Sequence, residues 1–288
     1  MLLFHPFHML RFDTVHDLHH HLTVVRRAGK TIGFVPTMGA LHAGHLALIG
    51  QAKQVCDVVV CSVFVNPTQC NNPADLARYP RTLEQDAAQL ETVGTDVLFS
   101  PSAADMYPEP ATLRFDFGPL ETVMEGASRP GHFNGVGLVV SKLFHMVQPD
   151  KAFFGQKDLQ QVAVVRCLVR DLNFPLELIR CDTVREADGL AMSSRNRLLT
   201  KAERAEAPAL FQALTLAQNR LLDAATPEQA KAAVVDFLGG RPAFKLDYIE
   251  AVNADSLQPI TELQPPGQTA LCIAAQLGTV RLIDNVVF

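Results

Sequence analysis

Residues 31–65 constrain the fold more than any other stretch of the chain. Residues 32–35 form a short apolar run, and Pro36 is expected to stop its ladder. Met38, Gly39 and Ala40 make a tight turn of small or flexible residues. His42-Ala43-Gly44-His45 follows, and Leu46, Leu48, Ile49, Ala52 and Val55 then recur at helical spacing. Residues 57–65 are a near-continuous apolar run, which marks a strand covered on both faces, as in a parallel sheet. A strand, a glycine-bearing turn and a helix aim backbone N–H groups and a helix N-terminus at an anion. His42 and His45, three residues apart, share one face of that first turn.

The alternation continues. Thr82 with Gln85 reads as a capping box opening a helix to about Val93. Residues 96–99 and 112–117 read as strands, and the glycine- and charge-rich 125–135 as a surface loop. Residues 136–146 look helical, 151–154 form a strand, 155–161 enter a helix running to about Asp171, and 176–181 close the series as a strand. This order predicts an α/β fold, a Rossmann-like doubly wound parallel sheet. The pattern then changes. Thr200 with Glu203 reads as another capping box, and Thr226-Pro227-Glu228-Gln229 as a further helix start with Pro227 at the first helical position. Strands follow at 245–252, 269–275 and 279–287. The expected division is a nucleotide-binding domain over 1–183 and a smaller α+β C-terminal domain over 184–288.

Composition excludes some classes. With 48% apolar and 19% charged residues, the 288-residue chain has the makeup of a soluble globular protein. A net charge of -5, with both signs mixed along the chain, speaks against a nucleic-acid stripe. No apolar run reaches the roughly 18 residues of a membrane span. The apolar opening MLLFHPFHML is too short for a secretory signal, and Met9 is an alternative start to Met1. Six cysteines without a C-x-x-C pair read as reduced thiols in a cytoplasmic protein. His16, His19, His20 and His21 fall on a helix expected over 15–28, where no carboxylate or cysteine completes a metal set; a solvated face is the reading.

Four segments carry polar groups where a βα sheet places a ligand. The first is His42/His45, whose imidazole N–H groups suit charge developing on a phosphate. The second is Asn66 and Gln69, at the end of the 57–65 strand. The third joins Arg129 and His132 with Lys157-Asp158-Leu159-Gln160-Gln161. Lys157 suits a phosphate at a helix start, and Asp158 a ribose or a divalent metal. The fourth is Met192-Ser193-Ser194-Arg195, where two hydroxyls and a guanidinium fork suit a triphosphate. There is no G-x-x-x-x-G-K-[ST], no G-x-S-x-G and no G-x-G-x-x-G at the opening turn.

With these residues in view, the chain resembles the pantothenate synthetase (pantoate–β-alanine ligase) family of the HIGH-motif nucleotidyltransferase superfamily. The likeness spans nearly the whole chain: PTMGALHAGH at 36–45, FVNPTQ at 64–69, ARYPRTLEQD at 77–86, RPGHFNGV at 129–136, FFGQKDLQQ at 153–161 and AMSSRN at 191–196. The H-x-G-H signature alone specifies the superfamily; the joint order of the rest specifies the ligase. The resemblance implies a cytoplasmic homodimer that uses ATP as substrate, with Mg²⁺, to join pantoate to β-alanine through pantoyl adenylate. It implies His42, His45, Lys157, Ser193, Ser194 and Arg195 in catalysis, and Met38, Gly155, Asp158, Val184 and Met192 as further ATP contacts. It assigns pantoate to Gln69 and Gln161 with Asn66, Arg129 and His132, and puts Asp86 near the metal. Residues 186–197 are the implied mobile loop that closes over ATP. Cys70 departs from the phenylalanine usual after the glutamine, Gln156 from glutamate, Leu159 from an aromatic residue, and Ala43 from a frequent glutamate. Two alternatives are a simple adenylyltransferase and a non-catalytic nucleotide-binding module. The paired glutamines weigh against the first, and the presence of His45 and Arg195 against the second.

Overall fold

The computed structural model describes residues 9–69, 76–77 and 79–288. Cys70, Arg78 and the stretch before Met9 lie outside the described residues. The chain divides into two compact units. One holds the described residues through Gly155 together with Val164–Cys181, and the other holds Gln156–Ala163 with Asp182–Phe288. The segment 156–163 thus goes with the second unit, whereas the sequence reading leaves it in the first.

The first unit is built on a parallel sheet of β1 (Leu10–Phe12), β2 (Ile32–Thr37), β3 (Val58–Val63), β4 (Val97–Phe99), β5 (Lys151–Gly155) and β6 (Glu177–Cys181), in the order β1-β4-β3-β2-β5-β6. The strand order reverses between β2 and β5, so the crevice at their C-terminal ends is the place where such sheets take a ligand. Register is set at the opposite edge by three aspartates. Asp57 accepts from Thr31 N at 2.8 Å, Asp96 from Val59 N at 2.7 Å and Asp150 from Ile32 N at 2.7 Å. Each lies just ahead of one strand and satisfies a main-chain donor at the start of its neighbour. Phe144 meets Phe34, Phe154 and Phe174 edge-on, with centroids 5.3–6.4 Å apart.

Several local expectations change. Pro36 does not end β2. It pairs with Ser62 of β3, at a level where β5 no longer pairs with β2, so its missing N–H leaves no gap in a second ladder. Residues 112–117 form no strand; Phe115 N instead donates to Asn134 Oδ1 at 2.8 Å. The 125–135 stretch is not a surface loop. Helix Met124–Ser128 and the start of helix His132–Val147 occupy it, and Glu125, Gly126, His132, Phe133 and Gly135 are buried. Thr82 caps no helix with its side chain; the hydroxyl donates to Asp86 Oδ2 at 3.2 Å. Strand β1, three residues long, is too short to leave a periodic signal in the sequence.

The second unit carries an antiparallel sheet of β7 (Phe244–Asn253), β8 (Thr269–Leu277) and β9 (Val280–Val287). Helices Ala209–Leu222 and Pro227–Gly239 cover it, packing Leu210, Leu214, Leu221, Val234 and Leu238 against Ile249, Leu271 and Ile273. The capping box at Thr200/Glu203 is formed, and Thr226 with Gln229 makes another at the expected helix start. Cys56, Cys61, Cys167, Cys181 and Cys272 are free thiols. Complete burial pushes the Cys61 thiol up to about 12, so it stays protonated. Among the described residues no helix is long and apolar enough to cross a membrane.

Candidate active site

Helix Ala43–Val55 begins at the C-terminal end of β2, and His42 is its N-cap. His42 Nδ1 accepts from Gly44 N at 3.2 Å, and His45 Nδ1 accepts from His42 N at 3.4 Å. The reciprocal box is the capping arrangement of serine and glutamate made with two imidazoles. It has a chemical consequence. A ring nitrogen that accepts a hydrogen bond carries no proton, so each neutral imidazole bears its proton on Nε2. The rings lie 4.1 Å apart. Two Nε2–H donors and a helix N-terminus are thereby gathered at one end of the sheet.

The turn before them is held from beneath. Gly39 and Ala40 take positive φ angles of 80° and 52°. A Cβ on Gly39 would lie 3.0 Å from Asp86 Oδ2 and from a Val63 methyl, so both conformation and space favour glycine. Asp86 is 1% exposed; Oδ2 accepts from Ala40 N at 3.0 Å and Oδ1 from Leu41 N at 2.8 Å. Asp86, which the resemblance puts near the metal, thus braces the main chain of this turn. Its oxygens are engaged by buried main-chain donors, and among the described residues no group of three or more His, Cys, Asp or Glu could hold a metal ion.

Asn66, at the end of the strand β3, is 1% exposed and organises a second cluster. Its Oδ1 accepts from Thr68 N at 3.3 Å, Thr68 Oγ1 at 3.0 Å and Tyr107 OH at 2.9 Å. Its Nδ2 donates to Gln69 Oε1 at 3.0 Å and Gly135 O at 3.3 Å. These partners fix both amides: Gln69 accepts through Oε1 and donates through Nε2, which meets Met38 Sδ at 2.7 Å. Gly135 admits this arrangement, because a Cβ there would fall 2.2 Å from Thr68 O. His132 Nδ1 donates to Gln69 O at 2.8 Å, which leaves Nε2 to accept from Arg129 Nη1 at 3.2 Å. Arg129 in turn pairs with Glu125 at 3.7 Å. Arg129 and His132, expected to line the ligand cleft, are thus linked to the backbone of Gln69.

In the second unit Lys157 and Asp158 lie in a 3₁₀ turn, Gln156–Asp158, that leads into helix Leu159–Asp171, where Gln161 sits in the first turn. Val184 and Met192 face each other across a hairpin, with Met192 N donating to Val184 O at 3.0 Å and Glu186 N to Leu190 O at 2.8 Å. Ser193 then caps a 3₁₀ helix, Ser194–Leu198, accepting from Arg195 N at 3.3 Å. Asn196 ties this segment back to Glu186 Oε1 at 3.0 Å, and Arg204 binds Glu186 and Asp188. Lys157, Ser193 and Arg195 line one recess with Asp284 and Arg281. Gly155 ends β5 in the first unit.

The structure thus gathers Met38, Asn66, Gln69, Arg129 and His132 in one unit, and Lys157, Ser193 and Arg195 in the other. Sequence reasoning missed Tyr107, Thr68, Arg185, Asp284 and Asn285. Tyr107 stands 41 residues from Asn66, and Asp284 stands 99 from Arg185, so no periodicity could have paired them.

A reversing parallel sheet with a histidine-capped helix N-terminus at its ligand-taking edge defines a class: an α/β protein that receives a phosphate-bearing ligand. Comparison narrows the class. The family model described as pantoate-beta-alanine ligase matches residues 11–287, and the chain belongs to that family. It is 46% identical over 280 residues to the pantothenate synthetase of Cytophaga hutchinsonii, covering 97% of this chain and 99% of that one. The crystal structure of pantothenate synthetase from Thermus thermophilus superposes with a TM-score of 0.89 at 43% identity, over 97% of this chain and 99% of that one. The Francisella tularensis pantoate-beta-alanine ligase, crystallised with beta-gamma ATP and beta-alanine, gives 0.79 at 37% identity over 97% and 98%.

Proposed function

We propose that the protein condenses pantoate with β-alanine to pantothenate, using ATP and releasing AMP and pyrophosphate. The observation that carries the reading is the imidazole capping box of His42 and His45 in a chain whose family match runs nearly end to end. Pantoate's carboxylate oxygen attacks the α-phosphorus of ATP, and the bond to the bridging oxygen of pyrophosphate breaks. The amine of β-alanine then attacks the acyl carbon of pantoyl adenylate, AMP leaves, and the amine loses a proton. Both nucleophiles belong to the substrates, so the protein's contribution is orientation and charge neutralisation. His42 and His45 donate Nε2–H to phosphate oxygens. Lys157, Ser193, Ser194 and Arg195 bind the remaining phosphate charge, while Met38, Gly155, Asp158, Val184 and Met192 contact the nucleotide. Gln69, turned by Asn66 so that its Nε2–H₂ donates, and Gln161 hold pantoate's hydroxyl and carboxylate oxygens.

Mg²⁺ is assigned to the triphosphate, since it is ordinarily held by phosphate oxygens, water and one or two carboxylates rather than by an all-protein cage. The enzyme is further assigned to the cytoplasm as a homodimer, which agrees with its family resemblance.

The test mixes ATP, pantoate and β-alanine with Mg²⁺. AMP, pyrophosphate and pantothenate in equal amounts are expected, and release of ADP and phosphate contradicts the mechanism. A second measurement concerns the 186–197 loop. The segment is expected to close over ATP, so saturating nucleotide should slow hydrogen exchange across it. Unchanged exchange there removes the loop from nucleotide binding.

A further inference from the structure

The turn that carries Lys157 is held by a residue far along the chain. Asn285 of β9 is 2% exposed, and its Nδ2 donates to Gln156 O at 2.8 Å and to Lys157 O at 2.9 Å. Two carbonyl acceptors settle the amide's orientation, because a flipped side chain would set Oδ1 against both. Asn285 Oδ1 itself has no hydrogen-bond partner among the described residues. An unsatisfied buried acceptor asks for an explanation, and the two carbonyls met by Nδ2 supply one.

Asn285 is fixed in turn by a buried ion pair. Arg185 binds Asp284 through two hydrogen bonds, at 2.7 and 3.0 Å. Arg185 Nη2 also donates to Asn285 O at 3.1 Å, and Asn285 N donates to Asp284 Oδ1 at 2.8 Å. On its other side Arg185 Nη1 donates to Gly189 O at 3.1 Å, and the guanidinium lies 3.8 Å over the Phe211 ring. Arg185 opens the hairpin whose second arm runs into Ser193, Ser194 and Arg195. Lys157 and the Ser193–Arg195 segment are thus both referred to the same two residues of β9, all within the second unit.

We propose that Asn285 is a positioning residue for the nucleotide, acting through the main chain of Lys157, with Arg185 and Asp284 setting its place and tying the serine–arginine segment to the same frame. The inference rests on the ligase reading, in which Lys157 meets phosphate. A point charge must sit close to the phosphate oxygens to be of use, and a displacement of about 1 Å removes much of its benefit. Lys157 sits on a three-residue turn between β5 and helix Leu159–Asp171, and the carboxamide of Asn285 ties that turn to strand β9.

The test is a double-mutant cycle on the full-length enzyme with Asn285→Leu, Lys157→Ala and the pair. Leucine keeps the branched shape of asparagine and removes both donors. In the wild-type background, Asn285→Leu is expected to lower kcat/KM for ATP by on the order of ten-fold or more. The KM for pantoate should change by less than about two-fold, and in the Lys157→Ala background the added loss should fall below about two-fold. A role confined to stability predicts a lower melting temperature with equal factors in both backgrounds. Equal factors, or a matching rise in pantoate KM, overturn the proposal. Should Asn285→Leu fail to fold, Asn285→Ser runs the same cycle with a smaller side chain. A wild-type enzyme that forms no AMP overturns the ligase reading and this one with it. Additive effects in an active wild type overturn the positioning role alone.

Discussion

Replacing His45 with alanine is expected to lower kcat by on the order of 10²-fold or more, the loss typical of one pre-aimed donor to developing charge. The side chain has two separable duties. Its Nδ1 accepts from His42 N and completes the helix cap, and its Nε2 carries the proton offered to phosphate. The first duty is worth about 1 kcal/mol of stability, the second only rate. Two further variants divide them. In His45→Asn the Oδ1 atom stands near the place of Nδ1, so the melting temperature should recover while kcat stays low. In His45→Gln the Nε2 atom stands near the place of the histidine Nε2, so part of the rate should return without the cap. Steady-state kinetics beside thermal melts on the three proteins make the comparison. A near-normal kcat in His45→Ala removes His45 from the chemistry.

The second large effect is on stability. Asp86→Ala leaves the buried N–H groups of Ala40 and Leu41 without their acceptor. At about 1–3 kcal/mol each, the two orphans cost on the order of 3–5 kcal/mol, a large part of the stability of an ordinary domain. The carboxylate also holds Ala40 at φ 52°, a conformation that a residue with a Cβ adopts only under constraint. The melting temperature should fall by roughly 10 °C, measured without nucleotide or metal. Asp86→Asn keeps one acceptor and turns an N–H₂ toward a main-chain N–H, so its loss should be smaller but of the same sign. If Asp86 acted instead by holding Mg²⁺, both variants would melt normally in the absence of ligands and lose only magnesium-dependent activity.

Much of this molecule was readable from local pattern. The apolar runs at 32–35 and 57–65 read as buried strands, because past Asp57 only the small Ser62 interrupts them. The helical spacing from Leu46 to Val55, the threonine helix starts at 200 and 226 and the three late strands all follow from short-range periodicity and cap chemistry, and the structure contains each of them. The histidine pair was legible as a place for an anion for the same reason: a turn after a strand and before a helix exposes donors whatever the rest of the chain does.

The errors fall where partners distant in sequence decide the outcome. Thr82 has the spacing of a capping residue, but Asp86 takes its hydroxyl, and Asp86 is there because the turn at Ala40 and Leu41 needs an acceptor. Glycine and charge at 125–135 looked like surface. Gly135 is instead the point of contact with Thr68, while Glu125 and Arg129 pair beside His132. Pro36 was judged by its missing N–H, yet whether that matters depends on which neighbouring strand reaches its level.

By itself the sequence determined the elements, their order and the chemistry of the groups at their ends, since these depend on residues within one or two turns of each other. Only the tertiary structure decided which proton each histidine carries, which way Gln69 turns its amide and what holds Lys157. The imidazole bonds span two and three residues, those of the Gln69 amide 3 and 31, and that from Asn285 to Lys157 128, but each has a direction that no spacing rule records.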